Sequence, residues 1–190
     1  MERVLITGAK GRLGAALVEA AWPIGTFVIP ATPDQVDLTD PASVDRYVAA
    51  CRPDVIINAA SFPSVDDAEH RPELAQRINH RAVEYLASAA ATADCRLIQM
   101  SSAYVFDGVC SDGYVEGDQV NPLGTYGRSK RAGERAALAL DGAVVLRTSW
   151  LYGADVGGWL HHVRAVGQRR PGLGVVNDRF GSPTAIPELC

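Results

Sequence analysis

Tyr126-Gly-Arg-Ser-Lys130 concentrates more chemistry than any other stretch of the chain. Side chains four residues apart share one face of a helix, so the Lys130 ammonium sits close to the Tyr126 phenol or to a ribose beneath it. A neighbouring cation favours phenolate and brings the tyrosine pKa toward working pH, as a proton donor to a developing alkoxide requires. Tyr–Lys pairs at this spacing are common by chance, and this one gains meaning from its company. Ser102, in Met100-Ser-Ser-Ala-Tyr104, follows a short apolar run and is placed to hydrogen-bond a substrate carbonyl and polarise it; a serine there also serves as a simple turn or cap. Thr7-Gly-Ala-Lys-Gly-Arg-Leu-Gly14 sets Gly8, Gly11 and Gly14 in a G-x-x-G-x-x-G turn. Such a turn lets backbone approach a diphosphate, and the next helix offers the anion free N–H groups and a positive dipole end. Lys10 and Arg12 within it either hold a ribose 2′-phosphate or are solvated surface charges. No acidic residue stands near Ala31 to bind a ribose 2′-OH, so the spacing leaves NADPH and NADH both open.

The elements that position these groups alternate along the chain. Val4-Leu-Ile6, Phe27-Val-Ile29, Asp54-Val-Ile-Ile-Asn58, Arg96-Leu-Ile-Gln99 and Ala143-Val-Val-Leu146 read as strands, with a further short one at residues 174–176. Between them lie helical patterns. One has Leu13, Leu17 and Ala20 on one face. One begins at Asp40 as N-cap with Pro41 at the first position and runs to about Cys51. Others cover residues 71–91, 126–140 and 159–168. This βαβα order predicts an α/β fold, a doubly wound parallel sheet with helices on both faces, whose strands are apolar throughout because both faces are buried. Serine 102 then lies at the carboxyl end of the fourth strand, where such sheets bind ligands, and the Gly- and Asp-rich residues 106–122 read as an active-site loop.

Composition narrows the function classes. The chain has 190 residues, 47% hydrophobic and 21% charged, ordinary for one globular domain with a sizeable core. A net charge of −4 argues against a partner found by positive charge, neither nucleic acid nor an anionic membrane. There is no apolar run of membrane-spanning length, and the first residues lead into a strand without a signal-peptide layout. Cys51, Cys95, Cys110 and Cys190 lie too far apart for a zinc or redox pair and read as reduced thiols in a cytoplasmic protein. His161 and His162 point about 100° apart on a helix, so they do not share one metal ion, and no metal is expected.

Taken together, the motifs identify a resemblance. The glycine spacing is the variant of short-chain dehydrogenase/reductases, and the chain resembles their extended branch, in particular the dTDP-4-dehydrorhamnose reductase family. The likeness is carried by Ile6-Thr-Gly-Ala-Lys-Gly-Arg-Leu-Gly14, Val36-Asp-Leu-Thr-Asp40, Arg52-Pro-Asp-Val-Ile-Ile-Asn-Ala-Ala60 and Val65-Asp-Asp-Ala-Glu69. It continues through Tyr104-Val-Phe-Asp-Gly108, Asn121-Pro-Leu-Gly-Thr-Tyr-Gly-Arg-Ser-Lys130, Arg147-Thr-Ser-Trp-Leu-Tyr-Gly153 and Val175-Val-Asn-Asp-Arg-Phe-Gly-Ser-Pro-Thr184. The resemblance implies a Rossmann-like fold and NAD(P)H-dependent reduction, at C4, of a nucleotide-linked 4-keto-6-deoxy sugar in dTDP-rhamnose or other deoxysugar biosynthesis. Tyr126 would protonate O4, Lys130 would hold the ribose and tune Tyr126, and Ser102 would take the hydroxyl role usually held by Thr. Gly8, Lys10, Gly11, Arg12, Leu13 and Gly14 would form the diphosphate turn. Asp37 and Leu38 would lie on the adenine side, Ala60, Ser61, Phe62 and Pro63 beside the cofactor, and Met100 below the nicotinamide side. Trp150 would line the sugar-nucleotide site.

Two departures stand out. Ala103 occupies a position where the family usually has Asp, and Ser61-Phe62-Pro63 replaces a more usual Ala-Tyr-Thr, which leaves the exact sugar open. The resemblance further implies that residues 1–190 are the cofactor-binding domain, with 150–190 the start of a substrate-binding part whose remainder, the sugar-nucleotide lid and homodimer contacts, is expected to be missing. The alternatives are a non-catalytic nucleotide-binding or regulatory protein of the same fold, and a shortened, inactive reductase. An epimerase or dehydratase ranks lower because Ala103 supplies no carboxylate beside Ser102.

Overall fold

Parallel neighbours cannot be joined by tight turns, so each apolar run here is carried to the next by a helix that packs back on the sheet. The computed structural model describes residues 1–153, 159–169, 172, 174 and 181–190, with the backbone alone for residues 159–162. Strands β1 (Glu2–Thr7), β2 (Thr26–Ala31), β3 (Val55–Asn58), β4 (Arg96–Ser102) and β5 (Val144–Thr148) form one parallel sheet in the order β2-β1-β3-β4-β5. The direction of winding reverses at β1, which pairs with β2 on one edge and β3 on the other, and a doubly wound sheet opens its ligand crevice at the carboxyl end of that junction. The arrangement is Rossmann-like, as the alternation implies. Of the strand expected at residues 174–176, residues 175 and 176 lie outside the described residues.

Side chains alternate across the sheet with a period of two, and the register stacks like with like. Leu5, Ile56 and Leu97 are aligned across three strands and face one side, where they pack with Val44 and Val48 of helix α2 (Pro41–Cys51) and Val83, Leu86 and Ala90 of helix α5 (Ala82–Ala93). Helix α6 (Thr125–Ala137) closes this side through Ala137. Val4, Ile6, Val55, Ile57 and Met100 face the other side, beneath Leu13 and Leu17 of helix α1 (Arg12–Glu19) and Ile186 of a short 3-10 turn at Ile186–Leu189. Each fully buried aliphatic side chain contributes about 1.5–3 kcal/mol, so the sheet rests chiefly on these two clusters. Helix α2 starts as the spacing predicts: Asp40 accepts from the Ala42 N–H at 3.1 Å, and Pro41 occupies the first turn.

Two features differ from expectation. Residues 65–70 form helix α3 (Val65–His70), for which the apolar pattern gives no sign. Its signal is polar: Ser64 Oγ accepts from the Asp67 N–H at 3.1 Å, and Asp66 and Asp67 complement the helix dipole. The alanine-rich helix expected over residues 71–91 is divided into α4 (Pro72–Gln76), a π-helical turn (Arg77–Arg81) and α5. A π turn admits one residue beyond the α-helical repeat and re-aims the side chains that follow. Beyond β5, β6 (Leu151–Tyr152) and β7 (Thr184–Ala185) form a separate parallel pair, and α7 (Trp159–Gly167) occupies the span where a helix is expected. Among the described residues no helix is long and apolar enough to cross a membrane.

Candidate active site

The glycine turn is required by backbone contact. Gly8 has φ +67°, a left-handed conformation, and a Cβ there would lie within 2.8 Å of the Ala59–Ala60 backbone at the end of β3. A Cβ on Gly14 would overlap the Gly8 carbonyl. These close approaches bring α1 down onto the junction of β1 and β3. No side chain caps α1 and no acidic residue stands in its first turn, so its amide groups and dipole face the crevice uncompensated. A dinucleotide diphosphate fits this cradle. Lys10 forms an ion pair with Asp34, beyond the end of β2, and Arg12 donates to the Leu151 carbonyl at 3.3 Å. Both cations are exposed and have partners within the chain.

A buried polar chain runs across the carboxyl edge of the sheet. Thr7 Oγ1 donates to Asn58 Oδ1 at 2.5 Å, Asn58 Nδ2 donates to Gln99 Oε1 at 2.7 Å, and Gln99 Nε2 donates to the Met100 carbonyl at 2.7 Å. The Ala60 N–H also donates to Asn58 Oδ1 at 3.2 Å, which ties the loop after β3 to the same group. That Met100 carbonyl is where Lys130 Nζ donates, at 2.6 Å. The ends of β1, β3 and β4 and the helix carrying Lys130 are therefore joined by consecutive hydrogen bonds.

Lys130 and Tyr126 share the inward face of α6, as the four-residue spacing predicts. Their electrostatics differ from expectation. Lys130 is 3% exposed, and burial lowers its pKa to about 8 while Glu134 opposes the shift. Tyr126 is not lowered: burial raises its pKa, a hydrogen bond with Ser102 lowers it only in part, and Tyr104 raises it further. The reason is geometric. The ammonium is directed at the Met100 carbonyl, and desolvation of the phenol outweighs the remaining interactions. Tyr126 thus holds its proton in the chain alone. Its ring packs edge-on against Tyr104 at 5.7 Å, and Ser102 is buried at the end of β4, where its Oγ also accepts from the Tyr104 N–H at 3.3 Å.

Several positioning residues have no counterpart in the local motifs. Asn79, in the π turn, is buried; its Oδ1 accepts from the Phe62 N–H at 2.8 Å, and its Nδ2 donates to Ser129 Oγ at 2.9 Å. Ser129 in turn donates to the Tyr126 carbonyl at 2.7 Å. One amide thereby connects the loop after β3 to the tyrosine helix. Glu69 of α3 accepts from the Thr125 N–H at 2.6 Å and its hydroxyl at 2.8 Å, capping α6 from a distant element. Asp107 organises the irregular residues 106–122 by accepting from Tyr114 Oη at 2.6 Å and Asn121 Nδ2 at 3.0 Å, and Phe106 stacks on Tyr114.

The remaining expected residues are distributed unevenly. Phe62 is buried and packs with Tyr126, Ala68 and Ala75, whereas Ser61 beside it is exposed. Met100 turns its side chain into the α1-side core and contributes its carbonyl to the site. Asp37 uses its carboxylate locally, accepting from the Thr39 N–H and hydroxyl at 2.8 Å, while Leu38 packs against the α2-side core. Ala103 is exposed in the 3-10 turn after β4. Trp150 is 44% exposed, has φ +44°, and stands against Gly181, so it is not a core aromatic. The side chains of His161 and His162 lie outside the described residues. No cluster able to hold a metal ion occurs among the described residues.

A parallel sheet with a glycine turn at its switch point, a hydroxyl at the end of β4 and a buried Tyr–Lys helix defines an extended short-chain dehydrogenase/reductase. The chain belongs to the family described as RmlD substrate binding domain, whose model matches residues 1–190, and so to the dTDP-4-dehydrorhamnose reductases. It is 39% identical over 186 residues to a dTDP-4-dehydrorhamnose reductase of Aggregatibacter actinomycetemcomitans, covering 97% of this chain and 63% of that protein. A reductase of the same name from Mycolicibacterium smegmatis is 40% identical, covering 99% of this chain and 58% of the relative. The crystal structure of the dTDP-4-dehydrorhamnose reductase from Bacillus anthracis in complex with NADP superposes with a TM-score of 0.95 at 36% identity, covering 99% of this chain and 68% of that one. The chain thus spans about three fifths of the length of the two relatives.

Proposed function

We propose that this chain binds NADPH or NADH and serves the reduction of a nucleotide-linked 4-keto-6-deoxy sugar, of the dTDP-4-dehydrorhamnose type, at C4. The observation that carries this reading is Lys130: a buried ammonium, fixed by the Met100 carbonyl and one helical turn from a protonated Tyr126. A nicotinamide cofactor held by the glycine turn and Lys130 would supply the hydride to C4. Ser102 hydrogen-bonds the substrate O4 and polarises the carbonyl, and Tyr126 gives its proton to O4 as negative charge develops there. The tyrosine then regains a proton from solvent. Lys130 holds the cofactor ribose and stabilises the transient tyrosinate, a role that requires its charged form.

Gly8, Gly11, Arg12, Leu13 and Gly14 are assigned to the diphosphate, Asp37 and Leu38 to the adenine side, and Ala60, Ser61, Phe62 and Met100 to the nicotinamide side. Lys10 binds a 2′-phosphate only by exchanging its Asp34 partner. Ala103 and Trp150 join Ser102 in contacting the sugar nucleotide. On this reading residues 1–190 are the dinucleotide-binding unit, residues 150–190 open the substrate-binding part, and the protein works in the cytoplasm.

The test is a turnover assay. Addition of dTDP-4-dehydrorhamnose to the chain with NADPH is expected to consume NADPH, and Tyr126→Phe is expected to stop it. Tight NADPH binding with no turnover of any 4-keto sugar nucleotide would replace the reductase by a nucleotide-binding protein of the same fold.

A further inference from the structure

We propose that Glu134 is the counter-ion that keeps Lys130 protonated in its buried setting, and so a positioning residue of the reductase site. Glu134 lies one turn beyond Lys130 on the inward face of α6, and its side chain is 0% exposed. An isolated carboxylate would not remain ionised there. Four donations hold this one charged: from Ser101 Oγ at 2.6 Å, Arg147 Nε at 2.8 Å, Arg147 Nη2 at 2.9 Å and Arg131 Nη1 at 2.9 Å. Burial works to raise its pKa, but the bonds from Arg147, Ser101 and Arg131 outweigh that and bring it below the usual value.

The charges around Lys130 leave this role to Glu134. On its own helix stand Tyr126, which is neutral, and Arg131, whose charge Glu134 answers. Strand β4 brings Ser101 and Ser102, the 3-10 turn brings Tyr104, and the π turn brings Asn79, none of them charged. Helix α3 brings Glu69, but at the start of α6, where Thr125 occupies it. Glu84 of α5 is half-exposed and stands against His80. Strand β5 brings Arg147, whose cation would disfavour a charged Lys130 if Glu134 did not neutralise it. Glu134 acts twice: it attracts the ammonium, and it screens two guanidinium groups from it. Ser101 adds a mechanical link, since the residue that donates to Glu134 directly precedes Ser102.

The functional meaning of this role rests on the reductase reading, but its test needs no turnover. Lys10 and Lys130 are the only lysines in the chain, so Lys10→Arg leaves one lysine whose Cε resonance can be followed by carbon-13 NMR through a pH titration of the full chain. Glu134→Gln in that background is expected to move the Lys130 midpoint down by at least about one pH unit. Arg131→Gln, at a partly exposed position, removes a neighbouring cation and is expected to move it in the opposite direction by a few tenths of a unit. An unchanged midpoint in folded Glu134→Gln overturns the proposal. If Glu134→Gln does not fold, Arg131→Gln/Glu134→Gln, which removes the buried charge together with one cation it holds, is compared with Arg131→Gln: a lower midpoint in the double variant supports the proposal and an equal or higher one overturns it. NADPH binding and turnover, read separately on the same proteins, test the reductase reading.

Discussion

The crevice at the ends of β1, β3 and β4 and the region around Trp150 are built on opposite principles. In the crevice, Asn58, Gln99, Lys130 and Glu134 are all buried, and among the described residues no buried side-chain nitrogen or oxygen lacks a partner. Their hydrogen bonds tie β1, β3, β4, β5 and α6 together. Trp150 is half exposed, sits in a left-handed conformation, and stands against Gly181 beside the two-stranded β6–β7 pair. The contrast separates substitutions that disturb binding and folding together from those that touch recognition alone.

The sharpest way to test the crevice side is Tyr126→Phe. It removes the proposed proton donor without disturbing the polar chain, so turnover is expected to fall about 10²–10⁴-fold while NADPH affinity, by fluorescence titration, changes less than about twofold. Gly8→Ala comes next. Left-handed strain and overlap with the Ala59–Ala60 backbone together cost about 3 kcal/mol, read as about a hundredfold loss of NADPH affinity or a matching drop in stability. Normal binding and melting in this variant would break the comparison.

Asn58→Leu leaves Thr7 and Gln99 without their shared partner, and about 1–3 kcal/mol of stability should be lost in urea denaturation. The pH dependence is a further check. Lys130 is charged below about 8 in the folded chain, so NADPH affinity is expected to be constant below that pH and to fall by up to about tenfold per unit above it. The smallest effect belongs to the other region. Trp150→Ala should change stability by less than about 1 kcal/mol, since lost contact with Gly181 and the smaller side chain offset one another, while KM for the sugar nucleotide rises. A large loss of stability would place Trp150 with the crevice after all.

What could be read in advance followed sequence distance. The glycine turn, the Tyr126–Lys130 face and the Asp40–Pro41 helix start are local patterns, and the structure has all of them. Asn58 and Gln99 are 41 residues apart, Asn79 and Ser129 are 50 apart, and no periodicity pairs them. The direction of the Lys130 ammonium was equally hidden, because a backbone carbonyl of β4 decides it and leaves burial to set the tyrosine. Helix α3 was legible in principle from Ser64 and Asp67, but a search led by apolar spacing passes over a polar cap. The π turn has no compositional mark at all, although it carries Asn79, which bridges Phe62 and Ser129.

The strand order has a consequence for how the molecule can be assembled. With β2-β1-β3-β4-β5, the second strand joins one edge of the first, the third joins the other, and each later strand extends the edge left by its predecessor. No strand has to be inserted between two already paired. The glycine turn and the ends of β1 and β3 are all present once residue 58 has been made, so a growing chain can set out the proposed nucleotide cradle before the helix that carries Tyr126 exists.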